Sequence, residues 1–363
     1  MRFVQIADLH LDTAFKLLSD RADFGDSRRL DQRKIFSKMI EYVKNHEIPY
    51  LFICGDLYEH KSIRESSIAY INNLFNEIPD TKIYMVPGNH DPKIKNSFYV
   101  KFNWAKNVHI FGEKLEIIEE DEFDLYGYGF EDFYMKEVDL SSIEIKNPDK
   151  INILLTHGSV DGGQDENREY NPLISSKIKT LGFDYIALGH IHKKNIGEND
   201  NLYVYPGSMC AMGFDELGEH GCVDGEIIKE NGIVKKRVSF IPLDDKKFVE
   251  IRVDVSDCTT IEDLVQEISK QDINQNDFYK VYLVGDRNFD INLNKVRELL
   301  NLRNVIKIKD NTLISLNLEE IANSTSLKGI FVKKMLALNT DESVDKEEIN
   351  NAIQYGLDVL DGK

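Results

Sequence analysis

The residues with the greatest chemical potential in this sequence follow short apolar runs. Five of the nine histidines, three aspartates and an asparagine lie directly after such runs. The clusters are Asp8-Leu9-His10, Gly55-Asp56, Gly88-Asn89-His90-Asp91, Thr156-His157-Gly158 and Gly189-His190-Ile191-His192. If the runs are strands of an open α/β sheet, their carboxyl ends line one ligand crevice. The sequence therefore predicts that seven side chains meet there, namely Asp8, His10, Asp56, Asn89, His157, His190 and His192.

Each cluster alone is weak evidence for a site. A pair such as Asp8 and His10 is usually a turn, and Gly55-Asp56 after a strand is most often a turn as well. Asn89 tolerates unusual backbone angles. Five clusters in this order, each after a predicted strand, favour a shared site over five unrelated turns.

The types of residue in these clusters are those of a transition-metal site. They offer imidazole nitrogens, carboxylate oxygens and an amide oxygen but no thiolate, which suits Mn²⁺, Fe²⁺ or Zn²⁺. Seven ligands are too many for one tetrahedral ion and suit two ions that share a bridging carboxylate. Two metals about 3.5–4 Å apart hold the attacking and leaving oxygens of a displacement at phosphorus, and they lower the pKa of a bridging water. The clusters thus favour phosphate-ester hydrolysis by metal-activated hydroxide.

The apolar pattern predicts the elements that position these residues. Buried strands are predicted at residues 3–7, 50–54, 82–86, 108–111, 151–155, 185–188 and 202–205. Amphipathic stretches at 33–45 and 65–77 predict helices between them. Alternating strands and helices indicate a layered α/β domain, which we place at residues 1–243. Its end is predicted to be an antiparallel hairpin that turns at Asn231-Gly232.

Two further segments follow the α/β domain. Alternating strands and helices over residues 247–310 predict a small α+β domain, and residues 315–363 are predicted to be helical. The helical segment carries two apolar stripes, Leu327, Ile330, Phe331, Met335 and Leu338 and then Ile349, Ile353, Leu357 and Leu360. The polar loop 339–343 joins them, and Asp345 and Glu348 fit the N-cap and N3 positions of the last helix. The stripes either pack on the body or form a docking pair, and amphipathicity alone favours packing.

Composition limits the classes of protein to which this chain can belong. With 42% hydrophobic and 30% charged residues in 363, the chain is long enough for two or three domains and is not a disordered or low-complexity protein. A formal charge of −18 disfavours coating of nucleic acid by bulk charge but allows a local basic cleft. Four cysteines without a CxxC pair indicate a reducing compartment. With no long apolar run and no signal peptide at its start, the chain is expected to be cytoplasmic and to make no membrane contact.

The series DxH, GD, GNHD, H and GHxH resembles that of the calcineurin-like metallophosphoesterases. The resemblance implies an αββα sandwich and two divalent metals, which we expect to be Mn²⁺, with Fe²⁺ or Zn²⁺ as alternatives. By motif, Asp8, His10, Asp56 and His192 would hold one metal, and Asp56, Asn89, His157 and His190 the other. His90 matches the family's histidine that contacts the scissile phosphate and protonates the leaving oxygen, and Asp91 would orient it.

Other segments resemble one branch of that family. GDLYEH and GNHD differ from the motifs of Ser/Thr protein phosphatases. Tyr205-Pro206-Gly207-Ser208, Phe214-Asp215-Glu216 and residues 240–243 resemble bacterial SbcD-like and YhaO-like DNA repair exonucleases. In that family a capping domain follows, which would correspond to residues 247–310, and the C-terminal segment from residue 315 resembles the YhaO type. Asp12 is a departure, because the family pattern DxHLG has glycine there.

The resemblance implies a DNA exonuclease or endonuclease of a double-strand-break repair complex, with a coiled-coil ATPase of the SbcC type as partner. A phosphoesterase for small molecules or nucleotides is the alternative, which the charge of −18 mildly favours. A scaffold without catalysis is a third possibility, and the complete ligand set argues against it. Residues 65–78 and 97–106 resemble the helices that pair protomers in the family, so a homodimer is expected.

Charged residues outside the motifs support two weaker expectations. The acidic residues at 119–122 and Asp124 are expected to form a solvated loop. Basic residues near the motif loops either contact a nucleic-acid backbone or form a solvated face, namely Arg28, Arg29, Arg33, Lys34, Lys93, Lys95, Lys193 and Lys194.

Overall fold

The computed structural model describes residues 1–15, 22–136, 138, 140, 143–162, 170–197, 202–314, 318–338 and 346–360. The chain divides into two compact units, Met1–Lys247 and Phe248–Lys363. The finer assignment of a capping domain and a docking segment within the second unit stays a prediction. Among the described residues, no helix combines the length and the apolar character needed to cross a bilayer.

The first unit alternates strands and helices over its first half and ends in a long hairpin. In chain order its elements are β1 (Arg2–Ile6), α1 (Ala22–Asn45), β2 (Tyr50–Cys54), α2 (Glu65–Asn76), β3 (Lys82–Val86), α3 (Phe98–Lys101), β4 (Val108–Ile110), β5 (Glu116–Glu119), β6 (Phe123–Gly127), β7 (Ile151–His157), β8 (Ser159–Val160), β9 (Pro172–Leu173), α4 (Ser175–Ile178), β10 (Tyr185–Gly189), β11 (Tyr203–Val204), β12 (Gly221–Glu230) and β13 (Ile233–Pro242).

Two sheets of this unit pack face to face. One has the order β13-β12-β1-β2-β3-β4, and the other has the order β11-β10-β7-β6-β5. Side chains of both sheets, including Phe52 and Phe123, share one buried cluster between them. Helices α1 and α2 cover the outer face of the first sheet, while α4 and neighbouring loops cover that of the second. The fold is therefore the four-layer αββα sandwich that the resemblance implies.

The expectation of a solvated acidic loop is wrong at Asp124. Strand β6 is buried along its length, and the Asp124 side chain is fully buried within it. Its carboxylate accepts a hydrogen bond of 2.6 Å from the Asn147 amide and lies 3.6 Å from the ammonium of Lys150. In the sequence, the charge of Asp124 interrupts the apolar pattern of β6 and so hides the strand. Its burial is possible because Asn147 and Lys150, from another part of the chain, partner the carboxylate.

The second unit begins with a parallel three-stranded sheet. Its elements are β14 (Phe248–Asp254), α5 (Ile261–Ser269), β15 (Phe278–Val284), β16 (Asp286–Arg287), α6 (Leu293–Leu300), β17 (Val305–Asp310), β18 (Leu313–Ile314), α7 (Leu318–Ala322), α8 (Leu327–Leu338) and α9 (Lys346–Leu360). The sheet order is β14-β15-β17, and α5 and α6 share its apolar core.

Helices α7, α8 and α9 share a small core of their own. Ile349, Ile353 and Leu357 of α9 are buried together with Val332 of α8. A Cβ on Gly356 would lie 2.2 Å from the Phe331 ring, so this glycine allows α8 and α9 to approach closely. The second predicted stripe is therefore largely buried, but only Phe331 and Met335 of the first join this core. The other members of the first stripe, Leu327, Ile330 and Leu338, are exposed. The predicted loop at 339–343 and the predicted N-cap Asp345 lie outside the described residues, and the side chain of Glu348 is likewise not described.

Arg28 of α1 is a structural residue and not a contact for nucleic acid. Its guanidinium is fully buried and forms two hydrogen bonds with the Asp244 carboxylate, one of which is 3.0 Å long. It also donates two bonds, of 3.2 and 3.0 Å, to the carbonyl oxygen of Ala211. The pair attaches the end of the long hairpin to the first helix.

Replacement of Arg28 by alanine should lower the free energy of unfolding by about 3–5 kcal/mol, because Asp244 would remain buried without its partner. Arg29→Ala is the matched control. Arg29 pairs with Asp26 across an exposed turn of the same helix, so its loss should cost about 0–1 kcal/mol. Urea denaturation of both variants measures the difference, and equal losses would contradict the structural role of Arg28.

Candidate metal centre

The five polar clusters follow β1, β2, β3, β7 and β10 or close those strands, and the structure brings their side chains together. Because these strands run parallel within their sheets, their carboxyl ends lie along one edge of the sandwich. All seven predicted ligands lie in this cluster. They form two groups, Asp8 with His10 and His192, and Asn89 with His157 and His190, and Asp56 lies between the groups.

The backbone turns sharply where it presents these residues. Asp8, His10 and Asp56 have φ of 52°, 48° and 51°, in the left-handed region. Aspartate and histidine enter this region more readily than most residues, but the conformation still costs free energy and is typical of functional sites. Hydrogen bonds from Asp8 N to Gly55 O and from His10 N to Asp56 O hold the two strand ends against each other, at 3.2 and 2.9 Å.

In the first group, two imidazole rings point their Nε2 atoms at each other. The Nε2 atoms of His10 and His192 are 3.1 Å apart. Each ring donates its Nδ1–H to a carboxylate, His10 to Glu59 at 2.9 Å and His192 to Glu216 at 2.7 Å. In the neutral rings both Nε2 atoms therefore carry lone pairs. Two lone pairs at this distance require a positive charge between or upon them, and a divalent metal fits that need.

The second group also brings acceptor atoms together. The amide oxygen of Asn89 lies 3.0 Å from His157 Nε2 and 3.1 Å from His190 Nδ1. His157 donates its Nδ1–H to the carbonyl oxygen of Cys54 at 2.8 Å, so its Nε2 is the free ligand atom. An oxygen and two nitrogens converge here, as in a site for Mn²⁺, Fe²⁺ or Zn²⁺.

Asp56 joins the two groups. Its Oδ2 lies 3.3 Å from His157 Nε2 and 3.7 Å from His10 Nε2. Its Oδ1 accepts a hydrogen bond of 2.8 Å from the backbone N–H of His90. One carboxylate oxygen thus faces the ligand nitrogens of both groups, which is the placement that a bridging ligand needs.

The pKa values of the histidines reflect this crowding. Burial disfavours protonation of His157, but the Asp56 carboxylate outweighs it and raises the pKa of His157 to about 9. Burial likewise opposes protonation of His192, and Glu216 and Asp8 raise its pKa to about 9. Burial and then the charge of His157 lower the pKa of His190 to about 3. The raised pKa values of His157 and His192 have the same cause that would favour a divalent metal here, namely the nearby carboxylates.

His90 and Asp91 have different surroundings. The His90 ring is 45% exposed, and its Nδ1 donates to Glu59 Oε1 at 2.8 Å. Asp91 is fully buried and accepts hydrogen bonds from Tyr99 Oη and from the backbone N–H groups of Gly88, Asp56 and Leu57. The expectation that Asp91 orients His90 is therefore corrected, since Asp91 holds the loops of Asp56 and Asn89 and Glu59 contacts the ring.

Glu59 and Glu216 are site residues that the motifs did not predict. Glu59 lies three positions after Asp56 in GDLYEH, and that short spacing was the available signal. Glu216 also accepts a hydrogen bond of 2.7 Å from Ser208 Oγ. Carboxylates that accept from metal-binding histidines fix the ring and make its other nitrogen a better ligand.

Two glycines of the motifs leave room for ligand side chains and strands. A Cβ on Gly88 would lie 2.2 Å from Asp56 Oδ1, and one on Gly189 would lie 1.9 Å from the carbonyl oxygen of Cys54. Any larger residue would displace Asp56 or separate β2 from β10, so the GNHD and GHxH motifs require glycine for steric reasons.

The basic residues near the motif loops differ in availability. Besides buried Arg28, Arg33 binds Asp12 at 2.6 Å and Lys93 donates to the carbonyl oxygen of Ile110 at 2.9 Å. Lys34, Lys95 and Lys193 are exposed. Fewer of these basic residues are therefore available to contact a nucleic-acid backbone than the sequence suggested.

A sequence profile of the family described as calcineurin-like phosphoesterase matches residues 1–194. The chain belongs to this family. It is 24% identical over 234 residues to the uncharacterized metallophosphoesterase YhaO of Bacillus subtilis strain 168, a match that covers 61% of this chain and 56% of YhaO. The chain thus spans just over half the length of that relative.

A second relative is similar along its whole length. The SbcD component of the nuclease SbcCD from Staphylococcus epidermidis is 24% identical over 399 residues, with 99% of each chain covered. Among solved structures, the protein TT1561 of Thermus thermophilus aligns with 12% identity and a TM-score of 0.34, over 57% of this chain and 89% of that one.

Proposed function

We propose that this chain is a two-metal phosphodiesterase whose substrate is DNA. The observation that carries the proposal is the position of Asp56 Oδ2, which faces ligand nitrogens of both groups at 3.3 and 3.7 Å. A pair of metals bridged by one carboxylate is suited to displacement at phosphorus.

Each residue of the centre has a proposed role. Asp8, His10, Asp56 and His192 would hold one divalent ion and Asp56, Asn89, His157 and His190 the other, with Mn²⁺ the expected metal. When bound, two such ions polarise the phosphate and make water a stronger nucleophile. In the hydrolysis, water adds its oxygen to phosphorus and the bond from phosphorus to the leaving oxygen breaks. His90, with both ring nitrogens protonated, would give its Nε2 proton to that leaving oxygen, and a proton of the attacking water would pass to solvent.

DNA is favoured over small phosphodiesters by two observations. The similarity to a nuclease component extends over 99% of both chains, so it includes the second unit as well as the metal centre. A small ester would have little need for that unit. The charge of −18 and the burial of Arg28 favour the alternative, a phosphoesterase for nucleotides or other small molecules. A cytoplasmic location is part of the proposal, supported by four buried cysteines without disulfides.

Metal removal separates these possibilities. With Mn²⁺, the chain should degrade linear duplex DNA and also hydrolyse bis(4-nitrophenyl) phosphate, and an excess of chelator should abolish both activities. Hydrolysis of the nitrophenyl ester without any action on DNA would favour the small-molecule alternative. Undiminished activity in chelator would contradict the two-metal mechanism.

We further propose that α8 and α9 dock onto a coiled-coil ATPase of the SbcC type. The named relative is one part of a larger nuclease. Although α8 and α9 bury apolar residues against each other, Leu327, Ile330, Tyr355 and Val359 remain 68%, 51%, 75% and 73% exposed. Exposed apolar side chains on paired helices are suited to recognition by another helix.

Ile330→Asp and Val359→Asp should abolish co-purification with a co-expressed SbcC-type ATPase, because each places a charge on the exposed apolar surface. Both variants should keep their helix content and their activity on bis(4-nitrophenyl) phosphate. Leu357→Asp is the contrasting variant, since Leu357 is buried and the change should unfold the helices themselves. Full retention of the ATPase by both surface variants would refute this docking surface.

The homodimer stays a prediction, and the structure changes the surface that it would use. Ile68, Ile71 and Phe75 of α2 are buried in the core of the first unit, so this stripe is not a free face. Phe98, Phe102 and Trp104 are partly buried against the same core, while Val100 is 52% exposed. The exposed Val100 leaves the outer side of α3 available to a dimer interface.

A further inference from the structure

Part of one face of the three-stranded sheet in the second unit is exposed. Helices α5 and α6 pack against the other face, whose apolar core includes Val253, Val281 and Ile308. Because successive side chains of a strand point to opposite faces, the residues between these point away from the helices. We use the name open face for six of them, which are exposed or half-buried: Glu250, Arg252, Lys280, Tyr282, Lys307 and Lys309.

The pairing of the strands arranges the open face in two rows that cross the sheet. The first row is Glu250, Lys280 and Lys307, and the second is Arg252, Tyr282 and Lys309. A shift in register after Tyr279 turns both lysines of β17 to this side. Since neighbouring strands lie about 4.8 Å apart, Tyr282 has a cation on each side within its row.

Positive charge dominates the open face. Its one carboxylate, Glu250, accepts hydrogen bonds of 2.6 Å from Lys280 and 3.2 Å from Tyr282 Oη. Asp254, which follows on this side of β14, accepts instead from the N–H and the Oγ of Ser256, at 2.9 and 2.6 Å. The lysines of β17 and the arginine of β14 are exposed, so four cations lie beside one carboxylate in a chain whose formal charge is −18. Such a local excess of positive charge favours a polyanionic partner.

Two of these cations lie beside an aromatic ring. The Nζ atoms of Lys280 and Lys309 are 4.7 and 5.8 Å from the centroid of the Tyr282 ring, within the range of cation–π contacts. A ring among cations on a sheet suits single-stranded nucleic acid, because a base stacks on the ring while the cations contact phosphates. An acidic peptide would use the charges and leave the ring without a role. The bases of a duplex are already stacked on one another, so a duplex would not use the ring either.

We propose that the open face binds a single strand of DNA, with a base stacked on Tyr282 and neighbouring phosphates held by Arg252, Lys307 and Lys309. The surface would supply contacts with nucleic acid that buried Arg28, near the metal centre, does not make. Its contribution to hydrolysis rests on the phosphodiesterase function proposed above, but binding at the open face needs no metal ion.

The stacking contact is tested by fluorescence anisotropy of a labelled oligothymidylate with the full chain, in chelator so that no hydrolysis occurs. Tyr282→Ala should weaken binding by about 5–100-fold, the range expected for the loss of one base–aromatic stack. Tyr282→Phe keeps the ring and should bind like the wild type. Tyr282→Leu fills much of the same space without an aromatic face, so it should bind as weakly as Tyr282→Ala if stacking is the cause.

The lysines of β17 test the contacts with phosphates. In Lys307→Gln/Lys309→Gln, the slope of log Kd against log salt should fall by about 1.4, since each phosphate contact on a single strand contributes about 0.7. Lys270→Gln/Lys295→Gln is the matched control. These lysines lie at the end of α5 and on α6 with 66% and 51% of their side chains exposed, so the same charge is removed from the helical side of the unit. Affinity and slope should stay close to those of the wild type.

Two other ligands distinguish DNA from other polyanions. An abasic strand of equal length should bind the wild type about as weakly as Tyr282→Ala binds the oligothymidylate, and Tyr282→Ala should bind the abasic strand as the wild type does. Displacement of the labelled strand by poly-L-glutamate as effectively as by unlabelled DNA of the same charge would identify a surface for acidic peptides and overturn the proposal.

The outcomes separate this proposal from the phosphodiesterase function. Unchanged affinity in Tyr282→Leu, with an unchanged salt slope in the double variant of β17, would overturn the open face as a DNA site and leave the phosphodiesterase function standing. Failure of the wild type to hydrolyse DNA and bis(4-nitrophenyl) phosphate with Mn²⁺ would overturn that function. The anisotropy measurements in chelator would still decide whether the open face binds DNA.

Discussion

Replacement of Asp56 by alanine should abolish hydrolysis and bring the number of tightly bound metal ions below two. Asp56 Oδ2 faces both ligand groups, so its removal weakens each site and removes the bridge between them. We expect turnover to fall by more than about 10⁴-fold, which exceeds the loss expected from any single proton donor. Metal analysis and calorimetry at saturating Mn²⁺, together with the DNA assay, measure the two effects.

Backbone strain needs a control in this experiment, because alanine is a poor residue for φ of 51°. Asp161 has the same φ of 51° and is exposed, so Asp161→Ala repeats the backbone change outside the proposed ligand set. It should retain activity. Asp56→Asn, which tolerates this φ better, should still lose activity. Two bound ions and full turnover in Asp56→Asn would contradict the bridging role.

His90→Ala should reduce turnover on DNA by about 10²–10⁴-fold while the protein continues to bind two metal ions. His90 is the proposed proton donor, and its Nδ1 is occupied by Glu59 and is not free to bind metal. The deficit should be much smaller on bis(4-nitrophenyl) phosphate. Parallel kinetics on the two substrates and a calorimetric titration with Mn²⁺ test this separation.

The position of His90 alone does not distinguish a proton donor from a metal ligand. One ligand atom from each of His10, Asp56 and His90 lies within 4.8 Å of the others. Loss of a metal ion in His90→Ala would therefore reassign His90 as a ligand. His46→Ala is a suitable comparison, since this exposed histidine stacks on Tyr42 after the end of α1 and should leave both readouts unchanged.

The sequence was sufficient for the features that depend on local pattern. Strands β2 and β3 begin and end where the apolar runs do, and the hairpin turns at Asn231, whose φ is 51°. The convergence of the proposed ligands could be predicted because each lies at or within a few residues of a strand end. Parallel strands then bring those positions together without any further information.

The remaining features depend on contacts between distant parts of the chain. Glu216 reaches His192 across 24 positions, and Arg28 reaches Asp244 across 216. Neither pairing produces a periodic pattern in the sequence, and the ligand motifs gave no indication of either. Asp91 was placed wrongly for the same reason, because its neighbour in sequence, His90, is not its partner in the fold.

Asp12 occupies a position where the family pattern has glycine, and its φ of 63° explains why glycine suits that position. Here the aspartate side chain accepts hydrogen bonds from Arg33 at 2.6 Å and from Ser67 at 2.5 Å, and so connects the end of β1 to α1 and α2. A glycine would keep the backbone and lose both contacts. Across an alignment of relatives, the two positions should covary. Sequences with an acidic residue at the Asp12 position should keep a basic partner at the Arg33 position, and those with glycine should be free to vary there.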